Sequence, residues 1–409
     1  MFAGPPDAEC PWDFDLSAFV ESQARRQEET IRGVTSSSDY PGAAAAALLA
    51  GRLGLPGPRP ESVLRAAHKF LSRIAQRDTI PEATPDFRLV DPTAAADPLP
   101  LPYFLKPVKG SFSILARRID RPGELAAFLA RPSVREFLTY YVHIFAQLLA
   151  RYPDLGVGAD RFLAEELLSG DQVTVEGFMA GGDPVILGVV DSVLHPRTGS
   201  FVRFDYPSGL PEDVQARMVE IAERVARGLR LDGSFFNVEM VYHPASGRIS
   251  ILEINPRLCG QFADLYLKVD GASSYQALLD LARGSIPKPP RRRGRFGAAA
   301  SFPLRVFRSA RVEHAPGPEA ITGIEARFPG TLIWLECATG DALEDFENQD
   351  DGSSFRYGVV NLGAEDLPGV LARFREVKKS LGLRLTPTRS PLRARSGRGR
   401  SPASLADRP

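Results

Sequence analysis

Lysine is scarce in this 409-residue chain, with seven present against 43 arginines. Where arginine is the default cation, a lysine stands out, and Lys69, Lys106 and Lys109 fall within about forty residues of one another. A compact ammonium enters a narrow phosphate site more readily than a planar guanidinium. Cysteine is scarcer still: Cys10, Cys259 and Cys337 are far apart, odd in number and in no CxxC arrangement, which supports neither a disulfide framework nor a zinc knuckle. Net charge is absent, because 50 basic residues balance 50 acidic ones. No global field then draws the chain to nucleic acid or an acidic membrane, and only the arginine-rich C-terminus offers a local basic patch. Long apolar runs are missing too. AAAAALLA at 43–50 is too short to span a bilayer, and MFAGPPDAECPWDFD lacks the regions of a signal peptide. A cytoplasmic protein is expected, with no membrane and no specific nucleic acid as partners. The dipeptide GK does not occur, so there is no Walker loop, and no GxGxxG follows a strand.

What is present is the profile of a folded protein, 44% hydrophobic and 24% charged, long enough for two or three domains. After a turn-rich start, a polar helix is expected near 16–30, and IRGVTSSSDYPG reads as a strand end followed by a turn. Ser62 lies near the start of a helix through Val63, Leu64, Ala67, Phe70, Leu71 and Ile74. LPYFLKPVKGSFSILARRI at 101–119 reads as strand, short polar loop, strand, and a helix is expected at about 133–151. QVTVEGF and PVILGVV flank AGGD as a hairpin. Pro211 suits the first turn of a helix over 211–230 with an apolar stripe through Val214, Met218, Ile221, Val225 and Leu229. FFNVEMVYH and RISILEINPR form a second hairpin about PASG. The basic PKPPRRRGRFG at 287–297 marks a boundary. Beyond it SFPLRVF, GIEARF, TLIWLECA and FRYGVVNL look like strands, an amphipathic helix closes at about 365–381, and 386–409 is expected to be a disordered basic tail.

The second hairpin carries the chemistry. Side chains two apart on a strand share a face, so Glu253 and Asn255 point the same way. With a turn centred near Ala245 and Ser246 and an odd loop length, Glu239 lies opposite Glu253. A slip of one residue would send it to the other side. Two carboxylates and an amide in a half-buried sheet are costly without a positive neighbour, and Mg²⁺, shared between carboxylates and a nucleotide phosphate, is the natural one. Taken alone, an ExN on a strand is better explained as a solvated face. The sequel NPRLCG shifts the balance, because Arg257 adds a planar fork for phosphoryl or carboxylate oxygens. His68, His143, His195, His243 and His314 show no ligand spacing and are expected to be structural or exposed. Cys259 reads as a buried structural thiol. Arg203 fits a carboxylate-binding residue and an exposed arginine about equally.

These residues resemble the ATP-grasp superfamily, of the carboxylate-amine ligase type that includes biotin carboxylase and D-alanine–D-alanine ligase. NVEM with EINPR is similar to that family's magnesium-binding pair of strands. Upstream, the helical Lys69 followed by TIPEATP, the strand Lys106 in FLKPVKGSFS and the segment EELLSG fall in the family's order. The resemblance covers about 34–285 and implies an α+β, ATP-grasp fold: two α+β lobes holding the nucleotide, a partial pre-ATP-grasp α/β region and a C-terminal α/β extension. The divisions it implies are 1–62 for the shortened first region and 63–285 for the ATP-grasp domain. Lobe 1 takes about 85–163, lobe 2 about 164–285, and the extension 298–384. Only about thirty residues precede GVTSSSDYPG, too few for a complete Rossmann-like domain. Either a truncated N-terminus or a start codon chosen too late would account for this.

The resemblance also implies roles. Lys69 and Lys106 reach the nucleotide phosphates, and Gly110 and Ser111 belong to the loop that folds over them, with Lys109 nearby. Glu165, Glu166 and Leu168 form the connector that meets the adenine, and Gln172 stands where many members place a ribose-binding Glu. Glu239, Glu253 and Asn255 are the metal ligands for one or two Mg²⁺ ions, with Mn²⁺ as a substitute. Lys106 and Arg257 carry the catalysis. The implied activity is ATP-dependent joining of a small-molecule carboxylate to an amine through an acyl-phosphate, releasing ADP and phosphate; an oligomer is compatible with it. The alternatives are a non-catalytic or regulatory ATP-binding protein and a biotin-carboxylase-like enzyme, the latter disfavoured by the short KGSFS loop.

Overall fold

The structure is a computed structural model, and it describes residues 14–26, 31–111, 113–345 and 354–388. Cys10, the turn-rich start, Phe112 of the polar loop and the tail beyond 388 lie outside the described residues.

The chain opens with α1 (Leu16–Arg25), whose first turn is capped by the Asp15 carboxylate accepting the Ala18 N–H. Leu16 and Val20 bury against Ala47 and Leu48 of α2 (Ala44–Arg52), the helix formed by the alanine run. The strand end expected in IRGVTSSSDYPG does not form. Residues 31–38 are irregular, the Ser36 hydroxyl takes the Ser38 N–H, and Asp39–Ala43 make one wide helical turn into α2. Short polar side chains compete here for backbone partners that a strand would need.

The helix expected from Ser62 onward is two helices, α3 (Pro60–Ala67) and α4 (Lys69–Thr79), broken at His68. His68 is extended (φ −92°, ψ 104°), and its ring accepts the Leu71 N–H as the cap of α4. An N-cap must leave helical dihedrals, so one side chain both ends the first helix and starts the second.

Lobe 1 is a four-stranded antiparallel sheet of β1 (Phe87–Val90), β2 (Tyr103–Pro107), β3 (Arg117–Ile119) and β4 (Phe162–Glu165), in the order β1-β4-β2-β3. Helices α5 (Glu124–Leu129), α6 (Pro132–Tyr140) and α7 (His143–Ala150) follow the β2–β3 hairpin. The single helix expected at 133–151 is therefore broken as well. The Tyr40 hydroxyl enters the break, donating to the Tyr141 carbonyl at 2.8 Å and accepting the Phe145 N–H at 3.0 Å.

Lobe 2 is built on β5 (Asp171–Ala180), β6 (Asp183–Leu194), β7 (Phe201–Tyr206), β8 (Phe235–His243) and β9 (Arg248–Asn255). Gly181 and Gly182, both with positive φ, make the tight β5–β6 turn. Helix α8 (Glu212–Gly228), with Pro211 just before its first turn, buries Val214, Met218, Ile221 and Val225 against one face with Val175, Val238 and Ile251. Helices α9 (Gly260–Asp270) and α10 (Ser274–Ala282) supply a second cluster with Phe178, Phe204 and Phe235.

The basic stretch 287–297 crosses over and brings the chain back to the same sheet. β10 (Ala298–Val306) pairs antiparallel with β7, and the eight strands run β12-β13-β10-β7-β6-β5-β8-β9. The arginines of the crossing are partly spent in the structure: Arg291 donates to the Leu187 carbonyl, and the Arg292 N–H to Asp270 at 2.8 Å. β11 (Ala310–His314) precedes α11 (Pro318–Arg327), which contains most of GIEARF, expected as a strand. Pro318 at its first position and Glu319 in its first turn favour the helix. β12 (Leu332–Leu335), β13 (Phe355–Ala364) and α12 (Leu367–Ser380) match the remaining expectations. A last strand, β14 (Arg384–Pro387), pairs with β11, so Thr386 and Pro387 belong to the fold rather than to a tail beginning at 386. Among the described residues no helix is long and apolar enough to cross a membrane.

Candidate active site

The β8–β9 pairing sets Glu239 opposite Glu253 and Asn237 opposite Asn255, so Glu239, Glu253 and Asn255 share one face. Asn255 donates its amide to Glu239 at 3.1 Å, and Gln172 donates to the other Glu239 oxygen at 3.0 Å. Gln172 thus meets a carboxylate of the candidate metal set. Burial, then the Glu253 charge opposite, pushes the Glu239 carboxyl up to about 7. Burial also works against the Glu253 carboxylate, but Lys69 and Lys106 outweigh it and hold that group below its usual range.

The two lysines reach this face from α4 and from β2. Lys69 is the first residue of α4, set there by the break at His68; its ammonium is 2.9 Å from a Glu253 oxygen and donates to the Gly110 carbonyl at 2.9 Å. Lys106, on β2, lies 2.7 Å from Glu165 and donates to the Leu252 carbonyl of β9 at 3.2 Å. Burial lowers the Lys106 pKa despite the Glu165 charge. Glu165 is itself enclosed, with Arg73 Nε at 2.6 Å, and Arg73 also donates to Leu252 O at 2.8 Å. The Glu165 side chain therefore binds cations. Glu166 pairs with Arg248 (2.5 and 2.9 Å) while its N–H goes to Asp86 O, and Leu168 is half-buried in the connector.

The loop residues are anchored by Tyr141 and Asp39. The Ser111 N–H donates to the Tyr141 hydroxyl (3.2 Å) and its own hydroxyl to Asp39 (3.1 Å); buried Lys109 sits 3.4 Å from the same Asp39 carboxylate. Asp39 is missing from the residues that the motifs single out, and its only signal was a turn in SSSDYPG. Burial notwithstanding, Lys109, Arg257 and Lys69 pull its carboxyl down to about 2. Glu176 is also missing from them. Fully buried on β5, it accepts the Cys259 N–H at 3.0 Å and faces Asn237, and burial raises it to about 8. Arg257 is half-buried beside this set, with Glu239, Glu176 and Asp39 in its field. Arg203 pairs with Asp205 at 2.7 Å on β7. Burial pushes the Cys259 thiol up to about 12, leaving it protonated and inert.

His68 holds the Lys69 end of this arrangement through one tautomer. Nδ1 accepts the Leu71 N–H, which leaves Nε2–H to donate to the Gly158 carbonyl at 3.2 Å. Burial pushes its pKa down to about 4. The unfolded chain therefore binds more protons than the native one between about pH 6.5 and 4. Stability is expected to fall as pH drops through that window. Melting curves across it should show a shallower loss for His68→Gln, and an identical slope would contradict this account.

The donor set suits a hard divalent cation. Two facing carboxylates, one raised by the other, together with an amide, match Mg²⁺ in donor type. Among the described residues no three His, Cys, Asp or Glu side chains gather as metal ligands, so the third donor here is the amide of Asn255.

Residues 99–264 match the ATP-grasp domain family. That segment is similar to ATP-grasp domains. The fold agrees: an L-amino acid ligase from Bacillus licheniformis superposes with a TM-score of 0.70 at 17% identity, over 93% of this chain and 86% of that one. The ADP complex of purK, an N5-carboxyaminoimidazole ribonucleotide synthetase, gives 0.61 at 14% identity, over 90% and 83%. In sequence, carnosine synthase 1 of Gallus gallus is 31% identical over 262 residues, 60% of this chain and 27% of that protein. The chain thus spans under a third of the length of the curated relative.

Proposed function

We propose that this chain is an ATP-grasp enzyme, an ATP-dependent ligase joining a carboxylate to an amine, with an amino acid as at least one substrate. The observation that carries the reading is convergence: Lys69 and Lys106, from α4 and β2, both reach β9, where Glu239, Glu253 and Asn255 share a face. The similarity to an L-amino acid ligase and to a carnosine synthase supports the substrate class.

Glu239, Glu253 and Asn255 would hold Mg²⁺, which would supply neutralisation of phosphate charge. Lys69 would exchange its Glu253 contact for a phosphate oxygen, and Lys106, fixed by Glu165, would present its ammonium from the opposite lobe. The substrate carboxylate would attack the γ-phosphate to give an acyl-phosphate and ADP; the amine would then displace phosphate. Arg257 would steady the transferring phosphoryl group. The protein's contribution is position and charge, with no covalent nucleophile.

The test is ADP release from Mg·ATP over a panel of amino acids and small carboxylic acids, with mass detection of an amide. Release that depends on both an acid and an amine is expected. Nucleotide binding without release across the panel would favour a binding module instead, and release with bicarbonate alone would favour the biotin-carboxylase-like alternative.

A further inference from the structure

Residues 36–43 lie outside the segment that matches the family, yet they touch the phosphate loop at several points. Asp39 accepts the Ser111 hydroxyl at 3.1 Å and pairs with Lys109 at 3.4 Å. Lys109 is only 3% exposed, with its ammonium 5.1 Å from the Tyr40 ring centre and 5.6 Å from that of Phe145. This lysine is enclosed, so its partner is a fixture of the wall. Tyr40 plugs the α6–α7 break, and the neighbouring Tyr141 takes the Ser111 N–H. Just beyond these anchors the loop holds two non-glycine residues at positive φ, Ser113 (55°) and Leu115 (58°). Such backbone persists only where its surroundings over-determine it. The same segment lines a recess beside Arg257 through Ser36 and Ala43.

We propose that Asp39 is a positioning residue: through Lys109 and Ser111 it latches the start of the loop in the position that receives the nucleotide's phosphates, and so sets how tightly a triphosphate is held. The proposal rests on the nucleotide reading above. Asp39 touches no phosphate in this role. It acts through Ser111 and Lys109, so its loss weakens phosphate recognition and leaves adenine recognition alone.

The experiment compares the affinity of Mg·AMP-PNP with that of adenosine for the full chain and its variants. Asp39→Asn is expected to weaken AMP-PNP about tenfold with adenosine unchanged, and Asp39→Glu to recover most of the loss. Ser111→Ala, which keeps the buried ion pair, should weaken AMP-PNP in the same direction. The double variant should be no weaker than Asp39→Asn, because both changes open one latch. Unchanged or tighter AMP-PNP binding in either single variant overturns the proposal, as does an equal loss for adenosine. Should Asp39→Asn not fold, Ser111→Ala alone decides. A wild-type chain that binds adenosine but not AMP-PNP would overturn the ligase reading, and the latch with it; intact wild-type binding with unresponsive variants would overturn the latch only.

Discussion

Glu253→Gln is expected to lower ADP release by on the order of 10²–10³-fold at saturating Mg·ATP, the scale seen when one preorganised electrostatic contact to a transition state is removed. The geometry explains why so small a change should cost so much. Glu253 lies opposite Glu239 on the paired strands, and it is the group that Lys69 contacts at 2.9 Å. An amide in its place removes one of two carboxylates from the cation's donor set. The Glu239 carboxyl would also lose the like charge that helps to raise it, so its pKa should drop toward the ordinary range while it remains an oxygen donor. Nucleotide affinity should therefore fall much less than turnover, since Lys106 and the loop are untouched. Steady-state ADP release beside an AMP-PNP titration separates the two quantities, and a fully active Glu253→Gln would remove the metal assignment.

The largest effect on stability is expected at Glu165. Its carboxylate lies between Arg73 at 2.6 Å and Lys106 at 2.7 Å, and all three side chains are almost wholly buried. A buried charge survives only with its partner, and truncating one member of such a pair costs about 3–5 kcal/mol. Glu165→Gln strands two cations at once, so the upper end of that range is the expectation. Urea denaturation should show a lower midpoint with little change in slope. Lys106 would also lose the contact that aims it at β9, so turnover of the surviving folded protein should fall. A variant as stable as the parent would mean that water or Leu252 O satisfies these cations without the carboxylate.

The β8–β9 hairpin was legible in part: alternation puts Glu253 and Asn255 on one face, but the turn between His243 and Arg248 has an even four residues rather than an odd number, and a bulge at Leu252 is what brings Glu239 opposite Glu253. The helix breaks were not. His68 carries no breaker signal, and the α6–α7 break is plugged by Tyr40, about a hundred residues away, which no local pattern reports. GIEARF failed for a different reason: a short half-apolar run fits both periods, and the Gly-Pro start at 317–318 decides for helix. Asp39 and Glu176 were missed because a lone acid in a turn or strand looks like a solvated charge. Only the fold brings Lys109 and Ser111 to the first, and the Cys259 N–H and Asn237 to the second. The connector glutamates show the reverse case, where the motif is legible but the side chains are engaged by Arg73, Lys106 and Arg248.

The pairing of β10 with β7 bears on how this molecule can be shortened. A fragment trimmed to the family segment at 99–264 would carry the carboxylates but leave β7 with a bare row of backbone donors and acceptors where Ala299, Ala300 and Ser301 now sit. Such an edge invites intermolecular strand pairing. The smallest version worth expressing therefore has to run past β13, which closes over β10 in turn.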